Sequence, residues 1–582
     1  MNDNHIFNSL NYIHYMCQYQ GKYTKKTIEN NVLYITILNN DFAILSLKSD
    51  LIKNIGDTNL VRNISNQVFS NDSDFLITYV LPPMIYTLQE ISAISATNVE
   101  SLQINLPLQL EGKDVIIGIL DTGIDYLNEE FTDSNGNTRI LSIWDQTIPS
   151  KDEENTSIPF GMNYTKDEIN NALNLSRNGG NPYDIVPSKD ENGHGTKMAG
   201  IVGASGKNPK IKGIANKCEF AIIKLLESIS FKNTFEIKVP IYELFSIMPA
   251  MEYLKNIFLT TGKPVVILLP LGSNNGNHRG EHLLNSYIES LTNNIGIAVV
   301  TGTGNEGLQD NHVSGFIKNT NDEGIVELIV SPNQKFLFMD FWGSLPNIFE
   351  INIISPSGEE TEFIPAILNT SKRHTYIFEK TEISAYYYLP EEYSGEELIR
   401  VYFANIQPGI WRLKLKLRLG KIAKYDMWMS QSGIKEPETR FTPSNPYGTF
   451  TIPSDSNYTV SVASYNQNNK TVLSYSGMSF IDDSINIIDF AAGGESTLTT
   501  GLGNKLDTIS GTCLSAAIGA GACALLFQWG IVKGNYPYMH SESLKTFLQR
   551  GTIRRRGDTY PNAQWGYGII DFYSVFLNIS SV

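Results

Sequence analysis

The chain is poor in cysteine, in basic charge and in long apolar runs, and each shortage removes a class of protein. Four cysteines in 582 residues, Cys17, Cys218, Cys513 and Cys523, are too sparse for a disulfide framework, and their spacings match no zinc site. Lys and Arg number 45 against 60 Asp and Glu, for a net charge of −15. Nucleic acid and anionic membrane surfaces both reward a basic face, so neither is expected as a partner. No apolar stretch reaches ~18 residues, so no membrane span is expected. The opening Met1-Asn2-Asp3-Asn4-His5 is polar and lacks the basic start of a signal peptide, which points to an intracellular protein. No calcium-loop signature stands out, and no metal or cofactor is assigned.

What remains is a well-packed chain, 41% hydrophobic and 18% charged, too long for one ordinary core and expected to form two or three domains. Residues 1–90 mix candidate strands (32–38, 42–47, 75–80) with a candidate helix (51–64) and end at Pro82-Pro83, which suits a small α+β domain. From Val115 the pattern changes. Continuous apolar runs at 115–120, 220–226, 264–271 and 297–301 alternate with helical spacing at 241–261 and 280–293. This is the signature of an α/β domain, a parallel sheet with helices on both faces, whose functional residues belong at the carboxyl ends of strands. Between about 325 and 430 the pattern becomes β-type. Trp411-Arg412-Leu413-Lys414-Leu415-Lys416-Leu417-Arg418-Leu419 alternates strictly, and 336–341 and 349–354 are shorter strand candidates before the turn Ser355-Pro356-Ser357-Gly358. An inserted all-β sandwich or jelly roll is expected there, with a bracing role favoured over ligand binding. Residues 449–463 return to the sheet domain. The expected division is 1–90, 91–324, 325–430 and 431–582.

Three segments carry the chemistry: Ile119-Leu120-Asp121-Thr122-Gly123-Ile124, Asn192-Gly193-His194-Gly195-Thr196, and Ser510-Gly511-Thr512-Cys513-Leu514-Ser515-Ala516-Ala517. Taken singly each has a bland reading. Asp121 could close a turn, His194 could sit at a helix terminus (196–204), and Cys513 could be an inert buried thiol at the start of a small-residue helix (514–529). Together they supply a nucleophile, a base to take its proton and a carboxylate to hold the base's tautomer. Asn305, in Gly304-Asn305-Glu306-Gly307, would donate an N–H to a developing oxyanion, and the Cys513 backbone N–H at a helix start would add a second donor. Ser515 lies two residues along the helix from Cys513, a rotation of about 200°, and Ser510 lies too early; neither is expected to be the nucleophile.

The order Asp, His, nucleophile and the flanks of all three motifs resemble the subtilases, and most closely the Csp germination proteases of clostridial spores. Further segments share that likeness: Arg139-Ile140-Leu141-Ser142-Ile143-Trp144-Asp145-Gln146-Thr147, Tyr164-Thr165-Lys166-Asp167-Glu168-Ile169-Asn170, Leu271-Gly272-Ser273-Asn274 with His278, and Tyr560-Pro561-Asn562 followed by Trp565-Gly566-Tyr567-Gly568. The resemblance covers nearly the whole chain. It implies a subtilisin-like fold with an N-terminal prodomain and an inserted jelly-roll domain, and a spore-associated location. It implies Asp121, His194 and Asn305 in the family's functional positions and Cys513 in the serine position. It also implies a prodomain that is clipped, near Tyr86-Thr87-Leu88-Gln89, and stays in the cleft, and a protein substrate, the precursor of a cortex-lytic hydrolase. Leu271, Gly272 and Ser273 would form part of the substrate-binding wall. The family usually carries serine before the Leu-Gly pair; Pro270 stands there instead, which leaves side-chain preference open.

A thiol changes the chemistry. Thiolate leaves a tetrahedral intermediate more readily than an amine does, so His194 must protonate the nitrogen first, and sulfur is larger than the oxygen such a pocket is shaped for. Three readings follow: an endopeptidase in which Cys513 is tolerated or set as a trap, a pseudoprotease that binds a germination partner, and a cysteine hydrolase of activated esters. The intact Asp121, His194 and Asn305 favour the first.

Overall fold

The computed structural model describes residues 4–7, 9–21, 27–29, 33–52, 56–68, 76–82, 84, 87–88, 97, 102–103, 108–150, 158–364, 370–481 and 488–580. Pro83, Tyr86 and Gln89, named above for the end of the N-terminal domain, lie outside them.

The N-terminal region forms a five-stranded antiparallel sheet in the order Thr27–Glu29, Leu33–Ile37, Phe42–Lys48, Tyr12–Gln20, Leu76–Val80. The helix expected at 51–64 is instead Thr58–Val68. Gly56 breaks the earlier run, and Asp57 Oδ1 accepts from the Leu60 N–H at 2.9 Å, which sets the helix start one residue later. Strand Tyr12–Gln20 has no counterpart in the sequence reading. Its pattern is irregular because His14 points into the interior, where Nδ1 meets Ser46 Oγ at 2.9 Å. Burial lowers the imidazole pKa to about 3, so His14 is neutral there.

The centre of the molecule is an 11-stranded sheet. Its parallel part runs Ile140–Asp145, Glu219–Lys224, Ile116–Asp121, Val265–Leu268, Ile297–Gly302, Thr459–Asn466, Phe490–Gly493. Ile116–Asp121 is buried at every residue and sits near the middle. Two cores cover its faces. One packs the helices His194–Gly203 and Thr512–Phe527 against it, and the other packs Leu244–Thr261 and Leu283–Thr292. This is the subtilisin-like α/β arrangement the sequence pattern implies. The expected absence of a long apolar run needs one correction. The helix through Thr512–Val532 has 21 residues and an 18-residue stretch of mean hydropathy 1.6, enough to cross a membrane by length and composition, but 83% of that stretch is buried inside the protein. Its apolar surface is spent on the sheet, where Gly and Ala let the two approach closely.

Two antiparallel sheets form the extra β region. One has six strands, from His312–Asn319 to Lys421–Met429; the other has four, Ile348–Ile354, Gly409–Leu419, Glu323–Val330 and Arg440–Thr442. Their inward residues share one core, including Trp411, Leu413, Leu415 and Leu417. The alternating run is therefore a half-buried strand, apolar side in.

Candidate active site

The three motifs meet at the carboxyl edge of the central sheet. Asp121 ends its strand, His194 opens its helix and Cys513 is the second residue of its own. Two glycines make the approach possible. A Cβ on Gly195 would lie 2.1 Å from the Gly123 carbonyl oxygen, and one on Gly302 would lie 2.4 Å from the Thr512 carbonyl oxygen. Any side chain at either place would push a helix start away from the strand ends.

Asp121 holds His194 Nδ1 with both carboxylate oxygens, at 2.7 and 2.9 Å. His194 Nε2 faces Cys513 Sγ at 3.4 Å. All three side chains are buried. Burial alone would pull the imidazole pKa down. The Asp121 charge and the Cys513 sulfur outweigh it and hold the pKa well above the ordinary value. The arrangement therefore favours a protonated imidazole within reach of the Cys513 sulfur, the geometry of a Cys–His pair.

Asn305 follows strand Ile297–Gly302. Its Oδ1 accepts from the Thr512 N–H and from Thr512 Oγ1, both at 3.3 Å. The backbone donor fixes which end of the carboxamide is oxygen, so the amide NH2 is directed away from Thr512, as an oxyanion donor requires. Ser515 turns to the opposite side, with its hydroxyl 2.7 Å from Ser464 Oγ and 3.0 Å from the Gly493 carbonyl. It is a structural residue.

Leu271 and Gly272 form a two-residue strand that pairs antiparallel with Thr87–Leu88, in the register Leu271 to Leu88 and Gly272 to Thr87. Ser273 exchanges both backbone hydrogen bonds with Ile452 instead, at 3.1 and 2.9 Å. The three residues named for the wall are thus contiguous, but among the described residues only the first two pair with the N-terminal segment.

Several supporting residues escaped the sequence reading. Asp190 accepts from the Gly193 and Thr196 N–H groups at 2.7 and 2.9 Å, from Thr196 Oγ1 at 2.7 Å and from Thr122 Oγ1 at 2.8 Å. It ties the Asp121 loop to the start of the His194 helix. An acidic residue just before a helix is the available signal. Gln431 Nε2 donates to the Gly272 carbonyl at 3.2 Å, and Glu306, next to Asn305, accepts from the Ser432 N–H at 3.0 Å. Both contacts bring the end of the β insertion to the cleft, and nothing local in the sequence announces them.

The family model described as the subtilase family matches residues 112–325 and 444–568, leaving out most of the β insertion. Among solved structures, the chain is similar to the CspB protease of Clostridium perfringens, with 30% identity and a TM-score of 0.74. The match covers 84% of this chain and 98% of that one. Sphericase matches at 16% identity and TM-score 0.42, over 81% and 97% of the two chains. An epidermin leader peptide processing serine protease from Staphylococcus aureus matches at 14% and 0.46, over 98% and 99%. Among curated proteins none matches.

Proposed function

The chain belongs to the subtilase family, and from that membership we propose that it is an endopeptidase of the Csp germination type, with a thiol in the nucleophile position and its own N-terminal segment in the cleft. One observation carries the reading: Cys513 Sγ lies 3.4 Å from an imidazole whose other nitrogen is held by Asp121. In this reading residues 1–90 act as a prodomain and the β insertion is a jelly roll. The location is the spore, and the substrate is the precursor of a cortex-lytic hydrolase.

The chemistry runs as follows. His194 takes the Cys513 proton, and the thiolate attacks the scissile carbonyl. The Asn305 NH2 and the Cys513 N–H receive the oxyanion. His194 then protonates the leaving nitrogen, and water releases the acyl group from sulfur. The pairing of Thr87–Leu88 with Leu271–Gly272 supports a cleavage point near the 86–89 stretch, since it lays that stretch along the edge read as the substrate-binding wall.

The intact mass of the purified chain tests this. Cys513→Ser should lose an N-terminal fragment of roughly 90 residues more readily than the chain as it stands, and Cys513→Ala should keep it. A serine form that stays whole contradicts the proposal. A second reading, a pseudoprotease that serves as a germination partner, draws on the sulfur itself, which disfavours collapse toward products. It expects Cys513→Ala to germinate normally in spores; the endopeptidase reading expects a loss.

A further inference from the structure

A second site lies where the N-terminal domain, the catalytic domain and the β insertion meet. Val80, Leu81, Pro82 and Met84 form one wall, Gly276, Glu281 and His282 the next, and Trp342, Tyr388, Leu398 and Arg400 the third. The cavity has about 40 Å³ in which the centre of a water molecule fits. Two donors on its wall have no acceptor. Arg400 gives Nε and Nη2 to Asp340, both at 2.6 Å, and its guanidinium also meets the Tyr402 hydroxyl, but Nη1 and the indole Nε1 of Trp342 have no acceptor within 3.5 Å. Both residues are nearly fully buried, at 3% and 5% exposure. Buried donors without acceptors are rare, and each costs free energy unless something fills the space beside it.

The remaining polar groups narrow what fits. Asp340 already neutralises Arg400, and Glu281, Glu391 and Glu392 add carboxylates to the wall. An anion there would face a net negative surround with no spare cation. Glu392 is paired with Arg62 at 2.9 Å, and Glu281 accepts from Asn277 Nδ2 at 2.8 Å. His282 is neutral, because burial lowers its pKa to about 3. Its Nδ1 accepts from the Leu284 N–H, so its Nε2 carries the proton toward Met84. The free requirement is one neutral acceptor for two N–H donors, on a group that can also donate to carboxylates, against apolar walls. The inner space is worth roughly three water volumes.

We infer that this cavity binds a small neutral primary amide, its carbonyl oxygen accepting from Arg400 Nη1 and Trp342 Nε1 and its NH2 turned to the glutamates. The inference is independent of proteolysis and of the Asp121, His194 and Cys513 site. Because the walls come from three parts of the chain, an occupant would also tie the N-terminal domain to the other two.

Acetamide and acetate, titrated into the full chain by ligand-observed NMR and soaked into its crystals, test this. Acetamide should bind with an affinity on the order of millimolar, the range open to four heavy atoms. It should sit against both N–H groups, and acetate should show no occupancy at neutral pH. Trp342→Phe, which keeps the apolar volume, should weaken acetamide at least fivefold. Ordered water alone at both donors after soaking, equal binding of acetate, or an affinity unchanged in Trp342→Phe would each overturn the inference.

Discussion

At the scale of single residues, the four thiols are chemically unequal. Burial raises the pKa of Cys17 and Cys523 well above the usual thiol value and pushes Cys218 up to about 12. Cys513 alone faces an imidazole, and that imidazole is held above its ordinary pKa by Asp121 and by the sulfur itself. A raised imidazole pKa means the cation persists as pH rises through neutrality, and it stabilises the neighbouring thiolate over the same range. Iodoacetamide at pH 7 should therefore modify Cys513 at least ~10-fold faster than any other cysteine, as read by peptide mass mapping. Asp121→Asn should slow that modification by ~10-fold and move its pH profile toward that of an ordinary thiol, because the carboxylate favouring the imidazolium is gone. Uniform labelling of all four thiols would contradict the ion-pair account.

At the scale of elements, what could be read from the sequence depended on where each element gets its partners. Four parallel strands were legible, because strands buried on both faces are continuous apolar runs; 115–120 became Ile116–Asp121 and 297–301 became Ile297–Gly302, while the 264–271 run stops at Leu268, and Ile140–Asp145 and Phe490–Gly493 had no strand expectation. The candidate site residues were legible because each sits at an element's end, Asp121 at the close of a strand and His194 and Cys513 at helix starts. Tyr12–Gln20 was not, since a buried histidine with a serine partner looks polar in sequence. Asp190 was missed because it acts through backbone N–H groups, and Gln431 because its partner, Gly272, is 159 residues away. One helix start also carries a pH signature. Glu243 precedes Leu244–Thr261, is buried and is hydrogen-bonded by Ser228 Oγ, and burial pushes its pKa up to about 7. As pH rises from about 4.5 to about 7 the unfolded chain loses this proton while the folded one keeps it, so stability falls across that window, by about 3 kcal/mol at most. Glu243→Gln should remove this share of the decline, measured as the difference in urea midpoint between pH 5 and pH 7.5. Glu397, pushed up to about 8, should keep the curve sloping in the variant. An unchanged pH difference would mean Glu243 is ionised in the folded protein.

At the scale of the whole molecule, the β insertion is joined to the cleft by polar contacts rather than by apolar packing alone. Asn274 Nδ2 donates to the Met429 carbonyl at 3.1 Å, Gln431 reaches Gly272, and Asn275 Nδ2 reaches Asp340 Oδ2 at 3.4 Å. All three fall within four residues of the strand that pairs with Thr87–Leu88. If the insertion has the bracing role expected from sequence, these contacts direct it to the Leu271–Gly272 edge, the proposed substrate-binding wall. Its anchor is the Asp340–Arg400 pair, two bonds of 2.6 Å with both side chains buried. A buried pair of this kind contributes little over an apolar isostere, but removing one partner leaves an uncompensated charge at a cost of about 3–5 kcal/mol. Asp340→Asn should therefore lower the melting temperature by roughly 10 °C. If the insertion aligns the edge, the same change placed in a Cys513→Ser chain should also slow N-terminal clipping, by ~100-fold for a misplacement on the order of 1 Å. Clipping at an unchanged rate, measured well below the new melting temperature, would separate the two effects. The insertion would then stabilise the fold without setting the geometry of the cleft.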